Sequence, residues 1–382
     1  MDKVYLDNAA TTRVRESVIA KMQDALSDFY GNPSSIHSFG RSAKTGIESA
    51  RKTIAKYINA QASEIIFTSG GTEADNMILR SAVRDLGVKT IIISRIEHHA
   101  VLHTAEDLQK EYGINLQYVQ LDDYGNPKLS HLEELLKKDD SKKLVSLMHV
   151  NNEIGNIIDL KAIGILCNEN KALFHSDTVQ SVGRYAWDVQ KTPIDFLVAT
   201  AHKFHGPKGI GFVYIKKNSG LRAMISGGSQ ERGYRAGTES FHNIVGLEKA
   251  FVVAYDKLEE EKKYITGLKK YFIDTIVKEI PDVKFNGHSG KMEKSTYTLV
   301  NVRLPISEEK AMMLLFHLDI KGIACSKGSA CQSGSSAGSH VLAQILSAED
   351  LKKPSLRFSF SKYNTKEELD YTIGQLKEFV EK

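Results

Sequence analysis

The chain has 382 residues, 51 Lys and Arg against 47 Asp and Glu, and a formal charge of +4. That is long enough for a large core split between two lobes, and too balanced to point to a polyanionic partner or a nucleic acid. No apolar run approaches membrane-spanning length, the first residues lack the apolar core of a signal peptide, and three cysteines give no disulfide framework, so a reducing cytoplasm is expected.

The opening, Tyr5-Leu-Asp-Asn-Ala-Ala-Thr-Thr12, reads as a short strand running into a capped helix start, and Gly31-Asn-Pro-Ser-Ser35 as a loop. From residue 64 strands and helices alternate. Strands are expected at Glu64–Ser69, Thr90–Ser94, Leu116–Leu121, Leu144–Val150, Ala172–Asp177, Phe196–Thr200 and Gly211–Ile215. Helical patterns follow from Thr72, from about His98, from Leu129 and near Leu160. The alternation predicts an α/β fold: a mainly parallel sheet covered by helices, with ligands beyond the carboxyl ends of the strands. After about residue 255 the texture changes to a long charged helix, a strand at Tyr297–Val302, a helix, a Ser/Gly loop, a strand at Leu356–Phe360 and a last helix from Thr365. Residues 15–254 are therefore expected to form a large domain, and residues 1–14 with 255–382 a smaller α+β one.

Lys203 ends an apolar strand at a Gly/Pro turn. It is either a solvated turn lysine or an amine that forms a Schiff base with a carbonyl cofactor. Ser69-Gly-Gly-Thr-Glu73 lies between strand and helix, where free N–H groups suit a phosphate; it is equally an ordinary capped turn, and it is not a nucleotide P-loop. His98 follows another strand and could stack on an aromatic ligand and move protons, or be a satisfied histidine. An amide of Asn151-Asn152 could orient a ring substituent or cap a turn. Asp177 could cap a helix or pair with a protonated ring nitrogen, with Gln180 in reach of the same ring. Each signal is weak alone. Together, in this order along the chain, they describe a pyridoxal phosphate site.

Cys331 sits in a Ser/Gly-rich stretch, Ser326–His340, a setting for a working thiol rather than a structural one, with Lys327 near to favour the thiolate. Its spacing from Cys325 is no zinc spacing, and no metal is expected. Cys325 ends an apolar strand and reads as core, as does Cys167.

On these stretches, together with Phe67-Thr-Ser-Gly-Gly-Thr-Glu73, Glu97-His98, Met148-His-Val-Asn-Asn-Glu-Ile-Gly155, Gly206-Pro-Lys-Gly-Ile-Gly211, Glu231-Arg-Gly-Tyr-Arg-Ala-Gly-Thr238, Gly328-Ser-Ala-Cys331 and Arg357-Phe-Ser359, the sequence resembles the cysteine desulfurases of the NifS/IscS type, within the fold-type-I pyridoxal phosphate enzymes. The resemblance runs nearly end to end. It implies that Lys203 binds the cofactor covalently, that Gly71, Thr72, Thr200 and His202 hold its phosphate, and that Asp177 pairs with the ring nitrogen. Gln180 would meet the phenolic oxygen, His98 would stack on the ring, Asn152 would lie beside ring and substrate, and Arg357 would take the substrate carboxylate. Thr238 would reach the phosphate of a second subunit, which implies a homodimer. Cys331 would accept sulfur from L-cysteine as a persulfide, releasing alanine and passing sulfur to an acceptor such as an iron–sulfur scaffold. The wording around Asp177 and Gln180 departs from the commoner form. The sequence given also ends soon after the Thr365 helix, where housekeeping members carry a longer tail that helps dock the scaffold. A selenocysteine lyase or an aminotransferase of the same fold would use the same cofactor residues without a loop cysteine.

Overall fold

A computed structural model describes residues 3–327 and 338–381. After β1 (Val4–Tyr5), seven strands form the principal sheet: β2 (Ile65–Thr68), β3 (Thr90–Ile93), β4 (Asn115–Tyr118), β5 (Lys143–Ser146), β6 (Leu173–Asp177), β7 (Phe196–Thr200) and β8 (Gly211–Ile215). Their spatial order is β2-β8-β7-β6-β5-β3-β4. Every pairing from β7 to β4 is parallel, while β8 runs antiparallel to both neighbours. The reason lies in the Thr200–Gly211 connection. It is too short for the crossover that a parallel partner needs, so β8 returns beside β7 as a hairpin.

Successive residues of the strands other than β4 feed two different apolar clusters. Phe67, Ile92, Val145, Phe174, Leu197 and Phe212 face one; Ile66, Ile91, Ile93, Leu144, Val198 and Val213 face the other. A sheet buried on both faces reads as continuous apolar runs, the pattern that marked these strands in the sequence. Helices Glu16–Asp28, Ser38–Tyr57 and Phe241–Asp256 supply the first cluster, and Gly71–Leu86 and His99–Tyr112 the second.

A third cluster gathers Val4 and Leu6 with residues from Ile265 to Leu376. It packs the helix Leu258–Glu279 and the final helix Lys366–Glu381 on a small antiparallel sheet of β9 (Lys284–Phe285), β10 (Leu299–Arg303) and β12 (Ser355–Ser359). β1 pairs in parallel with β11 (Ile323–Ala324).

The N-terminal stretch departs from expectation. β1 is present, but no helix starts within Tyr5–Thr12; the first helix begins at Glu16. Two side chains here that are able to cap a helix bond elsewhere. Asn8 Nδ2 donates to the Ser359 carbonyl at 2.8 Å, and Thr12 Oγ1 to the His202 carbonyl at 2.8 Å. Tertiary hydrogen bonds thus outcompete a local cap. Asp177 is not a helix cap either: the chain leaves β6 through turns, and its Oδ1 accepts the Val179 N–H at 2.9 Å. No described helix is long and apolar enough to cross a membrane.

Candidate active site

A cavity of about 270 Å³ opens at the carboxyl ends of the parallel strands. Gly71, Thr72, His98, Asn152, Asp177, Gln180, Thr200, His202, Lys203 and Arg357 all line it, so segments scattered over almost three hundred residues meet at one place. Thr238 does not: it is exposed, on the stretch after Tyr234. Cys331 lies outside the described residues.

Lys203 closes a single 3₁₀ turn, Ala201–Lys203, at the end of β7. Its Nζ donates to the carbonyls of Ala9 at 2.6 Å and Ala10 at 2.8 Å. The Ala9 carbonyl also accepts from Gln180 Nε2 at 2.9 Å, while Gln180 Oε1 accepts from Arg184 Nη1 at 3.0 Å. Arg184 in turn donates to the Lys203 carbonyl and to Thr298 Oγ1, fixing the lysine turn against the small sheet. Ala9 and Ala10 were not foreseen as site residues; small side chains in a loop carry no signal of their own.

The helix Gly71–Leu86 aims its first turn at the cavity. Its leading N–H groups have no acceptor within the helix. Gly70 has φ +154°, and a Cβ on Gly71 would come within 2.8 Å of Val179 Cγ2, so the close strand-to-helix turn requires glycine there. Glu73 turns its carboxylate away: it accepts Ser69 N–H at 2.9 Å and Arg235 Nε at 2.9 Å, which lowers its pKa despite burial. The mouth of the helix is thus left without a neutralising acid, as an anion site needs.

His98 is the N-cap of the helix His99–Tyr112, with Nδ1 accepting the Ala100 N–H at 3.1 Å. Burial lowers its pKa, against the pull of Asp177. Burial also drives His202 down to about 3, with the Lys203 charge adding to it. Both rings are therefore neutral at pH 7. Asp177 is buried, and burial raises its pKa, opposed by His98, the Val179 N–H and Lys203. A buried carboxylate in this position calls for a cationic partner.

Asn151 and Asn152 divide the two roles left open for them. Asn151 Oδ1 accepts the N–H groups of Glu153 and Ile154, shaping the turn. Asn152 lines the cavity, and its carbonyl accepts Arg357 Nη1 at 2.8 Å. Arg357 is 1% exposed. Its Nη2 donates to Asp7 Oδ1 at 2.7 Å and to Ser326 Oγ at 3.2 Å.

Asp75, Met148, Val150 and Val179 also line the cavity and were missed. Asp75 could have been found. It shares a face with Ile78, Leu79 and Ala82, an acid in an apolar i, i+3, i+4, i+7 stripe. Cys167 is fully buried. Cys325 packs against the third cluster, and burial with the nearby Asp7 pushes its thiol up to about 12.

A buried acid, a cavity walled by a neutral imidazole, a lysine amine and an uncapped helix mouth fit pyridoxal phosphate: a ring nitrogen for Asp177, an aldehyde for Lys203, a phosphate for Gly71 and Thr72.

Residues 4–372 match the family model described as Aminotransferase class-V. Over its full length the chain is 42% identical to a protein named cysteine desulfurase IscS from Dictyoglomus turgidum, covering 95% of that relative. Among solved structures, a NifS-like protein superposes with a TM-score of 0.90 at 34% identity, with 99% of each chain covered. A structure of SspA in complex with cysteine superposes with a TM-score of 0.81 at 31% identity, over 94% of this chain and 99% of that one.

Proposed function

The chain belongs to the class-V aminotransferase family and is an enzyme that depends on pyridoxal 5'-phosphate; from that premise we propose that it is an L-cysteine desulfurase. The observation that supports the reading is the convergence of Lys203, Asp177, His98, Gln180 and Arg357 on one cavity. The fold-type-I architecture agrees with it. We take residues 15–254 as the cofactor-binding domain, and residues 1–14 with 255–382 as the smaller one.

The bound cofactor supplies an electron sink that labilises the bonds around the substrate Cα. The chain's own residues do the rest. Asp177, as carboxylate, holds a proton on the ring nitrogen. The helix mouth at Gly71 and Thr72, with Thr200 and His202, holds the phosphate, and Gln180 the phenolic oxygen. Arg357 receives the substrate carboxylate, and Asn152 walls the substrate side. Lys203 Nζ takes the Cα proton, and His98 moves a further proton as the product amine forms. The Cys331 thiolate attacks the substrate sulfur: a sulfur–sulfur bond forms, the carbon–sulfur bond breaks, and the carbon is protonated to alanine. The persulfide then passes its terminal sulfur to an acceptor, an iron–sulfur scaffold being the kind proposed.

We further propose a homodimer in a reducing cytoplasm. Leu26, Tyr30, Ile36 and Phe39 are 60, 73, 91 and 53% exposed, with Tyr30 and Phe39 stacked on one another. An apolar patch of this kind suits a second copy. It lies on the side of the helix Ser38–Tyr57, which Arg51 ties to Glu231 in the segment leading to Thr238.

The test is to supply L-cysteine with a thiol reductant and measure sulfide and alanine together. Equal yields of the two support desulfuration. A keto acid in place of alanine would move the protein to the aminotransferase reading.

A further inference from the structure

Asp75 takes no part in the mechanism above, yet it is 1% exposed and lines the cavity. One side-chain ligand atom each of Asp75, His98 and Asp177 lies within 4.8 Å of the others. Behind Asp75, its Oδ1 lies 3.4 Å from Nε2 of His175, whose side chain is fully buried on β6. The other nitrogen of that ring, Nδ1, is held by Ser146 Oγ at 2.8 Å. Neither Asp75 Oδ1 nor His175 Nε2 has a hydrogen-bond partner among the described residues, so they face each other as a pair beside Asp177.

Two carboxylates this close, out of water, do not both ionise. The surroundings decide which keeps the proton. Asp177 accepts the Val179 N–H and faces Lys203, and these favour its charge. Asp75 has none of these. Burial, Asp177 and Glu97 all push its pKa up. The ring behind it, His175, is held neutral by burial, with its pKa near 3. Asp75 sits in the second turn of its helix, past the reach of the free N–H groups at the mouth. Glu97 is itself driven up to about 8 by burial, so it supplies little charge of its own.

We propose that Asp75 is a positioning residue that holds a proton and donates it to His175 Nε2, leaving the single negative charge of the Asp75–Asp177 couple on Asp177. His175 then carries its own proton on Nδ1, donated to Ser146 Oγ. The consequence is a carboxylate at Asp177 that is charged and fixed before any cofactor arrives. The inference rests on Asp177 as the ring-nitrogen partner, but its test reads Asp75 directly.

The experiment is infrared difference spectroscopy of the holoenzyme with carbon-13 in its aspartate carboxyls, against unlabelled protein at neutral pH. Surface aspartates contribute carboxylate bands only, and Glu97 and the cofactor carry no label. The expected result is one carbonyl band of a protonated acid, lost in Asp75→Asn and moved to higher frequency in His175→Phe, where the proton loses its acceptor. A wild-type spectrum with carboxylate bands alone ends the proposal even if neither variant folds. A protonated band that survives in Asp75→Asn places the proton elsewhere and also ends it. A band unmoved in His175→Phe removes His175 as the acceptor and with it the pair. Failure of the Asp177 reading is distinguishable: it would appear as near-normal turnover in Asp177→Asn, with the Asp75 band unchanged.

Discussion

Arg357 Nη2 donates to Asp7 Oδ1 at 2.7 Å at the wall of the cavity. The guanidinium is held by the Asn152 carbonyl, Asp7 and Ser326, with its plane fixed before substrate binds. A carboxylate meets such a fork in two parallel hydrogen bonds, which a lysine cannot reproduce. Arg357→Lys should raise KM for L-cysteine by about tenfold or more, the equivalent of roughly 1.4 kcal/mol, with a smaller effect on kcat. An unchanged KM would show that the substrate carboxylate binds elsewhere.

Lys203 and Asp177 make separable predictions. Borohydride should fix the cofactor to Lys203 and to no other lysine, as peptide mapping would show. Asp177→Asn should retain cofactor yet lose turnover by about 10²-fold or more, the scale of a positioned proton-transfer group. Both follow from the same geometry: the amine and the acid line one cavity from the ends of neighbouring strands.

The two later cysteines should behave oppositely. Cys325 is partly buried beside Asp7 with its thiol pushed up to about 12, so it is not a thiolate at neutral pH. Cys325→Ser should keep sulfide production and lose some stability from a buried hydroxyl. Cys331→Ser should bind the cofactor and L-cysteine but release no sulfide. Mass spectrometry after one turnover should find the added sulfur on Cys331, with fragmentation separating it from Cys325.

Arg51 and Glu231 form a buried pair, each side chain 2% exposed, joined at 2.7 and 2.9 Å. Glu231 also accepts the Phe67 N–H at 2.8 Å, tying its segment to β2. Removing Glu231 takes away the two shortest carboxylate bonds of the buried guanidinium, leaving it Glu48 at 3.1 Å and the Ile65 carbonyl. Glu231→Ala should cost about 3–5 kcal/mol in urea unfolding, against a smaller loss when both are replaced by apolar residues. If Thr238 does serve a second subunit, Glu231→Ala should also weaken the dimer in sedimentation.

Glu97 gives a pH dependence. Burial raises its folded pKa from 4.5 to about 8, although Ser94 and the Met148 N–H bond to it. The folded state therefore binds the proton more tightly than the unfolded one between these values. Its contribution is fully present below pH 4.5 and is lost as pH rises through about 8. Glu97→Gln should lack this loss, gaining in Tm on wild type from about pH 5 to 8.

Much of the site was legible because strand ends are legible. Asp177, Thr200 and Lys203 each close an apolar run, and the fold brings such ends together. Asp75 was not read, since an acid inside a helical stretch is usually solvated, and only its apolar neighbours betray it. The helix start expected within Tyr5–Thr12 failed for the opposite reason: partners at Ser359 and Asn364, more than 350 positions away, took the Asn8 side chain. The helices Glu16–Asp28 and Ser38–Tyr57 went unread for want of a strand rhythm around them. Local chemistry reaches the sequence reader; long-range competition for the same polar groups does not.

The N-terminal stretch has a bearing on how the protein is made. Val4 pairs with Ile323, Asp7 with Arg357, and Asn8 with Asn364 across 356 positions. The carbonyls that hold Lys203 belong to this same stretch. On the ribosome these residues emerge long before their partners and must wait, unpaired, while some 350 further positions are synthesised. Closing so long a loop is slow, and the principal sheet can form well before it. Newly made protein should thus pass through a state with its sheet built and its lysine still unclasped, and the vitamin-derived cofactor should be captured late, as one of the last events of biogenesis.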